Sequence, residues 1–298
     1  MSEAILKTIV GALSGDCLPA DFSLPEEEEE ALGLRFAAGA KDGIYFYHMA
    51  PQEPEQSVSD RLGEAMEAAA SGQMEEAEAL FYTLTKERWA VALADDLHQY
   101  MAEHAAALDA QKLWGTAVSF IAESSHAECV KIGLEILELY DIPDDVKTPI
   151  YTLGLCDEFT LFVAWCMQSW QDGNDRLFHL AQRVHGWGRI HAVELLKPET
   201  PEIRRWLLAE GWDNTVHPAY SALTCWEKSG AEAVLKGQPT EEEYHGLSGM
   251  LAGLLDEGPI TGISEIEGAE ELLLRFLALS RERKLSAKDK ETLSAMQS

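Results

Sequence analysis

At 298 residues, 46% of them hydrophobic, the chain is long enough for a substantial core and too apolar for global disorder. Fifty-two acidic residues against 23 basic ones give a formal charge of −29 at pH 7. Such a field repels nucleic-acid phosphate, anionic lipid and acidic ligands, and suits basic partners or plain dispersal in water.

The N-terminal stretch MSEAILKTIVGAL is amphipathic, with Glu3 early and Lys7 its sole cation. It makes a poor export signal and reads as a helix over 2–13. A stretch punctuated by Gly, Pro and Asp follows, then five glutamates at 26–30, which either open a helix behind Pro25 or form a solvated acidic loop. Aromatics cluster at 42–49, where Tyr45, Phe46 and Tyr47 suit a strand or a buried helical segment. Residues 52–56, flanked by Pro51 and Pro54, read as a linker. Residues 1–57 are therefore expected to form a less regular segment that caps the rest or covers a groove.

Residues 59–85 read as a helical hairpin. Leu62-Gly63-x-x-Met66 followed by Gly72-x-Met74-x-x-Ala77-x-x-x-Phe81 loosely resembles one tetratricopeptide unit. Another pair is expected at 87–108 and 109–122, so that helical hairpins fill 58–125.

From 126 onward a register takes over. Gly133, Val163, Ala192, Ala222 and Ala252 follow one another at steps of 29 to 30 residues, and Ile136, Cys166, Leu195, Cys225 and Leu255 repeat three places later. A small residue followed at i+3 by a larger apolar one lies on one helical face, and such a period marks stacked helix pairs. First helices are expected at 127–140, 158–170, 188–197, 218–228 and 242–256, with shorter partners at 145–154, 174–185, 201–210 and 230–236. A long helix at 263–283 and a closing one at 286–296, capped by Ser286, complete the series. Breakers such as Pro143, Pro149, Gly173, Gly186, Pro198, Gly230 and Pro259 punctuate it. Period-two runs of Val, Ile and Thr are nearly absent. The fold class expected is all-α, an αα-hairpin superhelix of HEAT/ARM-like solenoid type, with repeats over 126–298.

The stretch Arg189-Ile190-His191-Ala192-Val193-Glu194-Leu195-Leu196, followed by ETPEIRRWLLAEG, resembles HEAT-like repeats of the short, phycobilisome-lyase type. In those, an R-x-x-A-x-x-x-L helix leads through a Pro or Asp turn into a second helix ending in apolar pairs. The resemblance spans about 126–260; the other copies keep the apolar spacing and lose the arginine. The whole chain is also similar to bacterial proteins some of which carry an automatic monoterpene (limonene) hydroxylase label. Hydroxylation with O₂ needs haem, flavin or non-haem iron. The register turns Cys166 and Cys225 to the core, and no GxGxxG follows a strand.

Catalytic signatures fail one by one. Glu123-x-x-His126 has the letters of a di-iron motif, with Asp95-x-x-His98 a weaker analogue, but Ser124 and Ser125 read as the cap of the next helix and put a turn between Glu123 and His126. His179, His185 and His191 recur every six residues, which on a helix leaves successive side chains about 120° apart, and Gly186 and Gly188 interrupt them. HExxH, CxxC, GxSxG and P-loop patterns are missing. No metal, cofactor or catalytic residue is expected. Five cysteines without a CxxC pair suit reduced thiols in the cytoplasm. The longest apolar run, 159–167, is far short of the roughly 20 residues of a membrane span.

One local departure remains. Between 173 and 206 six basic residues face four acidic ones, whereas 1–80 carries 17 acids and 4 bases. If second helices line a concave face, Arg176, His179, Arg183, Arg204 and Arg205 form a basic strip near Trp187 and Trp206. An arginine beside an aromatic in a concavity recognises a carboxylate or phosphate; the alternative is that these arginines pair with neighbouring acids. Most tryptophans at helical spacing belong to packing, while Trp187 and Trp212, read as turn residues, are the expected exposed anchors. The reading is a non-enzymatic helical-repeat scaffold binding a protein or peptide partner, basic in character, on its concave face, with no role for nucleic acid or membrane. The alternative is an enzyme or small-anion receptor on Arg176, His179, Arg183, Trp187, Arg204 and Arg205.

Overall fold

A computed structural model describes residues 3–25, 36–50, 55–258 and 260–296. The acidic run at 26–30, the Pro51–Pro54 part of the expected linker and Pro259 lie outside the described residues. Among those described the chain is all helical, with one isolated bridge between Ser14 and Cys17. It divides into two compact units, Met1–Val184 and His185–Ser298.

The first unit holds α1 (Ile5–Ala12), α2 (Ala40–His48), α3 (Gln56–Ser71), α4 (Met74–Thr85), α5 (Ala94–Glu103), α6 (Ala110–Glu123), α7 (Ala127–Glu138), α8 (Asp144–Gly154), α9 (Thr160–Met167) and α10 (Gly173–Ala181). The aromatic segment at 42–49 is thus helical. The hairpin expected at 59–85 is α3 and α4, joined at Gly72, whose φ of 78° is left-handed and open to glycine without strain. Pro149 does not separate helices; it sits inside α8.

Asp109 starts α6, its side chain accepting from the Gln111 and Lys112 amides at 3.1 Å. These satisfy donors that no helical carbonyl reaches. Asp109→Ala is therefore expected to cost about 1 kcal/mol, read as a lower urea midpoint by circular dichroism; an unchanged midpoint would dismiss the cap. Glu123 closes α6 and His126 opens α7, so the two stand on either side of a turn. Ser124 Oγ accepts from the His126 amide at 3.0 Å, but no side chain caps α7 itself.

Helix α7 is the centre of this unit. It packs against α4, α5, α6 and α9, and every residue from Glu128 to Leu137 is buried. Gly133 allows the approach to α6: a Cβ there would sit 2.9 Å from Phe120 Cβ and 3.0 Å from the Ala117 carbonyl. Because α7 is enclosed from Glu128 to Leu137, the charges of Glu128, Lys131 and Glu135 lie in the core.

The second unit holds α11 (Trp187–Leu195), α12 (Pro201–Trp206), α13 (Ala219–Ser229), α14 (Ala231–Lys236), α15 (Glu241–Leu255), α16 (Ala269–Ser280) and α17 (Ala287–Ala295). Helix α11 packs on α13, α13 on α15, and α15 on α17. The helix expected over 201–210 is α12 continued by a π turn, Leu207–Gly211. The long helix expected at 263–283 is a 3₁₀ turn, Ile263–Glu265, followed by α16. Ser286 caps α17 in a reciprocal box with Asp289.

In this unit the small positions of the register hold with one slip, while of the larger ones Cys225 is buried and Leu195 and Leu255 are half-buried. Ala192 and Ala222 are fully buried. Ala252 is only half-buried, and Gly253, one place later, makes the close crossing instead: a Cβ on it would lie 2.9 Å from Ala222 Cβ. Backbone approaches backbone there more tightly than an alanine permits.

Candidate functional site

The expected basic strip is divided between the units, with Arg176, His179 and Arg183 in the first and Trp187, Arg204 and Arg205 in the second. Three of its four arginines are engaged within their own unit. Arg176 Nε donates to Asp172 at 2.7 Å, one helical turn away. Arg183 donates to Asp16 and, at 2.7 Å, to the His179 carbonyl. The Arg183 hydrogen bond and charge hold the Asp16 carboxyl below its ordinary range. His179 is exposed on α10. Arg204 donates to the Pro198 carbonyl, and Arg205 stands exposed on α12.

Trp187 and Trp212 are not exposed anchors. They are 6% and 5% exposed. Trp187 begins α11 rather than lying in a turn and packs its ring 4.9 Å from that of Tyr220. Trp212 Nε1 donates to the Leu208 carbonyl at 3.2 Å, and Lys288 stands 4.1 Å above its ring. Each indole finds enough apolar and polar company inside the unit to be drawn in.

The strongest concentration of chemistry lies elsewhere, in the core of the first unit. Lys131 on α7 is completely buried, with its ammonium 3.1 Å from Asp42, 3.2 Å from Glu128 and 2.6 Å from Glu158. The Phe162 ring lies 5.4 Å from it. Two of the carboxylates have further donors: Glu128 accepts from the Ala90 amide and Glu158 from the Gly39 amide, both at 2.7 Å. One turn along α7, Glu135 is 1% exposed, and its carboxyl oxygens meet no hydrogen-bond partner among the described residues. His98 Nε2 contacts the Glu135 carbonyl at 3.1 Å and lies 3.9 Å from Glu138.

Burial and charge sort these groups. Burial alone would strip Lys131 of its proton, but three carboxylates hold its pKa well above the ordinary lysine value. Burial likewise works against ionised Glu128, yet Lys131 and the Ala90 amide outweigh it and its pKa falls. Asp42 is pushed up to about 8, chiefly by burial and further by Glu158 and Glu128, against the pull of Lys131. Glu135 rises well above its ordinary value through burial and then the charges of Glu128 and Glu138. The arrangement is suited to holding protons. No set of three His, Cys, Asp or Glu side chains among the described residues is disposed to hold a metal ion.

Sequence reading missed this cluster, although a signal was there. Residues 128, 131, 135 and 138 are spaced three, four and three apart, which puts all four charges on one helical face. The stripe through Gly133 and Ile136 drew attention to the other face.

The second unit carries a groove of about 480 Å³ beside α13 and α14. Leu223, Trp226, Ala233 and Ile266 supply apolar surface, while Glu227, Glu232, Glu265 and Glu267 supply carboxylates. Lys236 is the basic residue of the lining and is tied to Glu232 at 2.5 Å, one turn back. That hydrogen bond and charge, with Glu271 and Glu267 beyond, raise the lysine pKa.

No protein-family model, no curated protein and no solved structure matches this chain.

Proposed function

We propose that the chain is a HEAT-like helical-repeat scaffold of the cytoplasm, without catalytic activity, that binds a basic protein or peptide segment, and that the groove beside α13 and α14 receives it. The observation that carries this reading is the lining: four carboxylates and one already paired lysine around Leu223, Trp226, Ala233 and Ile266. A cationic amphipathic segment satisfies both parts of such a surface, its apolar side chains covering the floor and its ammonium or guanidinium groups meeting the rim. The formal charge of −29 adds long-range attraction for the same class of partner.

Further observations support the reading. Helices of the 30-residue register pack in succession, α7 on α9 in one unit and α11 on α13 on α15 in the other, as stacked pairs do. Three of the four arginines on which a small-anion receptor would depend are engaged, Arg176, Arg183 and Arg204 bonding to groups of their own unit, while Arg205 stands exposed. Four of the five free thiols are buried, and no helix among the described residues is long and apolar enough to cross a membrane.

The test is a fluorescein-labelled helical peptide of alternating lysine and leucine faces, titrated with the full chain and followed by anisotropy. Binding is expected to weaken as salt rises. The Glu227→Lys, Glu265→Lys double variant is expected to lose about tenfold in affinity, in line with two partly screened surface charges. Equal binding by that variant, or by a neutral serine–leucine peptide, overturns the assignment.

A further inference from the structure

Helix α2 is only partly anchored by ordinary packing, its large residues Ile44, Tyr45 and Tyr47 being half-buried. Of its nine residues only Ala40, Asp42 and Gly43 are buried, and neither Ala40 nor Gly43 offers much apolar surface. Phe46 is 51% exposed, meeting Trp165 edge-on at 6.2 Å. What reaches inward is the Asp42 carboxyl, onto Lys131, while the Gly39 amide just before the helix donates to Glu158. The fully buried polar part of the seat of α2 is thus electrostatic.

That seat is over-supplied with carboxyls. Lys131 is one cation among Asp42, Glu128 and Glu158, with Glu135 one turn further along the same buried face. Oxygens of Asp42 (Oδ2) and Glu135 (both) have no hydrogen-bond partner among the described residues. Other charges nearby do not restore balance: Lys41 faces Glu128 from α2, Asp157 neighbours Glu158, and Glu138 with His98 of α5 closes the far end. Helix α9 contributes the Phe162 ring and the Cys166 thiol, which donates to the Leu134 carbonyl at 3.4 Å. Lys131, with Lys41 acting on Glu128, does not balance four carboxylates of which Asp42, Glu128 and Glu135 are buried, so part of the set must carry protons for the cluster to stay closed.

We propose that α2 is a proton-gated latch: protons held by Asp42 and its buried neighbours keep the helix seated over Lys131, and their loss toward alkaline pH releases it. Asp42 is the group that leaves, because Glu128, Lys131 and Glu135 are fixed in a fully enclosed helix whereas Asp42 rides on a short one. The sign follows from linkage. The seated state holds a proton that the released state, with an ordinary carboxylate, gives up. Seating is therefore complete at low pH and weakens through the window between the ordinary aspartate value of 3.8 and about 8. One proton taken up on seating changes the equilibrium tenfold per pH unit.

The experiment is hydrogen exchange of the amides at 40–48 in the full chain, corrected for intrinsic rate and measured from about pH 5.5 to about pH 7.5, where a tenfold change per unit is resolvable. The opening constant of α2 is expected to rise about tenfold per pH unit while amides of α4 stay constant. Asp42→Asn keeps the shape and cannot ionise, so its α2 protection is expected to be independent of pH. Protection of wild-type α2 that does not change with pH, an Asn variant that follows the wild type, or parallel opening of α4 would each overturn the latch. A variant with lost helicity is replaced by Asp42→Ser, which likewise cannot ionise at this position and is expected to show no pH dependence, so that a wild-type slope in it would count equally against the proposal.

Discussion

Lys131→Met is expected to destabilise the first unit by about 3–5 kcal/mol, the range found when one partner of a buried ion pair is removed. The methionine fills much the same volume, so the loss is electrostatic. Glu128 and Glu158 would face each other and Asp42 without the ammonium that now lies within 3.2 Å of all three. For a unit of this size such a loss lowers the thermal midpoint by on the order of 10 °C. Scanning calorimetry at neutral pH reads it directly. The quadruple change Lys131→Met with Asp42→Asn, Glu128→Gln and Glu158→Gln removes the stranded charges and is expected to restore most of the midpoint. A single variant with an unshifted midpoint, or a quadruple variant no better than the single, would mean that the carboxyls simply take up protons and that Lys131 is not what holds this core.

The second large effect is expected in the other unit, where α15 crosses the π turn. A Cβ at Gly249 would lie 2.1 Å from two atoms of the Trp212 ring, and one at Gly246 would lie 2.3 Å from the Leu208 carbonyl oxygen. Neither neighbour yields easily. The indole is fixed by its bond to Leu208 and by Lys288 above it, and the carbonyl belongs to the backbone. Gly249→Ala is therefore expected to cost at least the roughly 1–3 kcal/mol of an overpacked core, and Gly246→Ala no less. Urea unfolding followed by tryptophan fluorescence measures both. Combining Gly249→Ala with Trp212→Leu makes room for the methyl group and should recover part of the loss. Gly249→Ala at wild-type stability would show that α15 and the π turn are not held in contact.

These two sites also mark where sequence reasoning runs out. Helix positions after 126 were legible because a 30-residue period is written in small and large apolar residues, and caps such as Ser286 and breaks such as Gly230 need no tertiary knowledge. The shift from Ala252 to Gly253 was not, since a slip of one residue depends on how closely two helices cross. The charges of α7 were readable as a stripe, but charge on a helix ordinarily means solvent. Only the enclosure of α7 by four neighbours turns that stripe inward. The basic strip failed for a related reason. Counting arginines says nothing of their partners, and the acid that engages Arg183 lies 167 residues away in the chain. Trp187 and Trp212 read as turn residues, while their position is decided by Tyr220 and by the space left at Gly249.

The thiols carry one more implication. Cys129, Cys156, Cys166 and Cys225 are buried, and burial raises the last three well above an ordinary thiol, Cys156 to about 12. Peroxide and alkylating reagents attack thiolate, so these sulfurs are inert for as long as the helices around them remain closed. Oxidation of these four thiols would then begin with a breathing motion and not with a collision, unlike that of the more accessible Cys17, and the pattern of modified buried sulfurs would record which helices had opened.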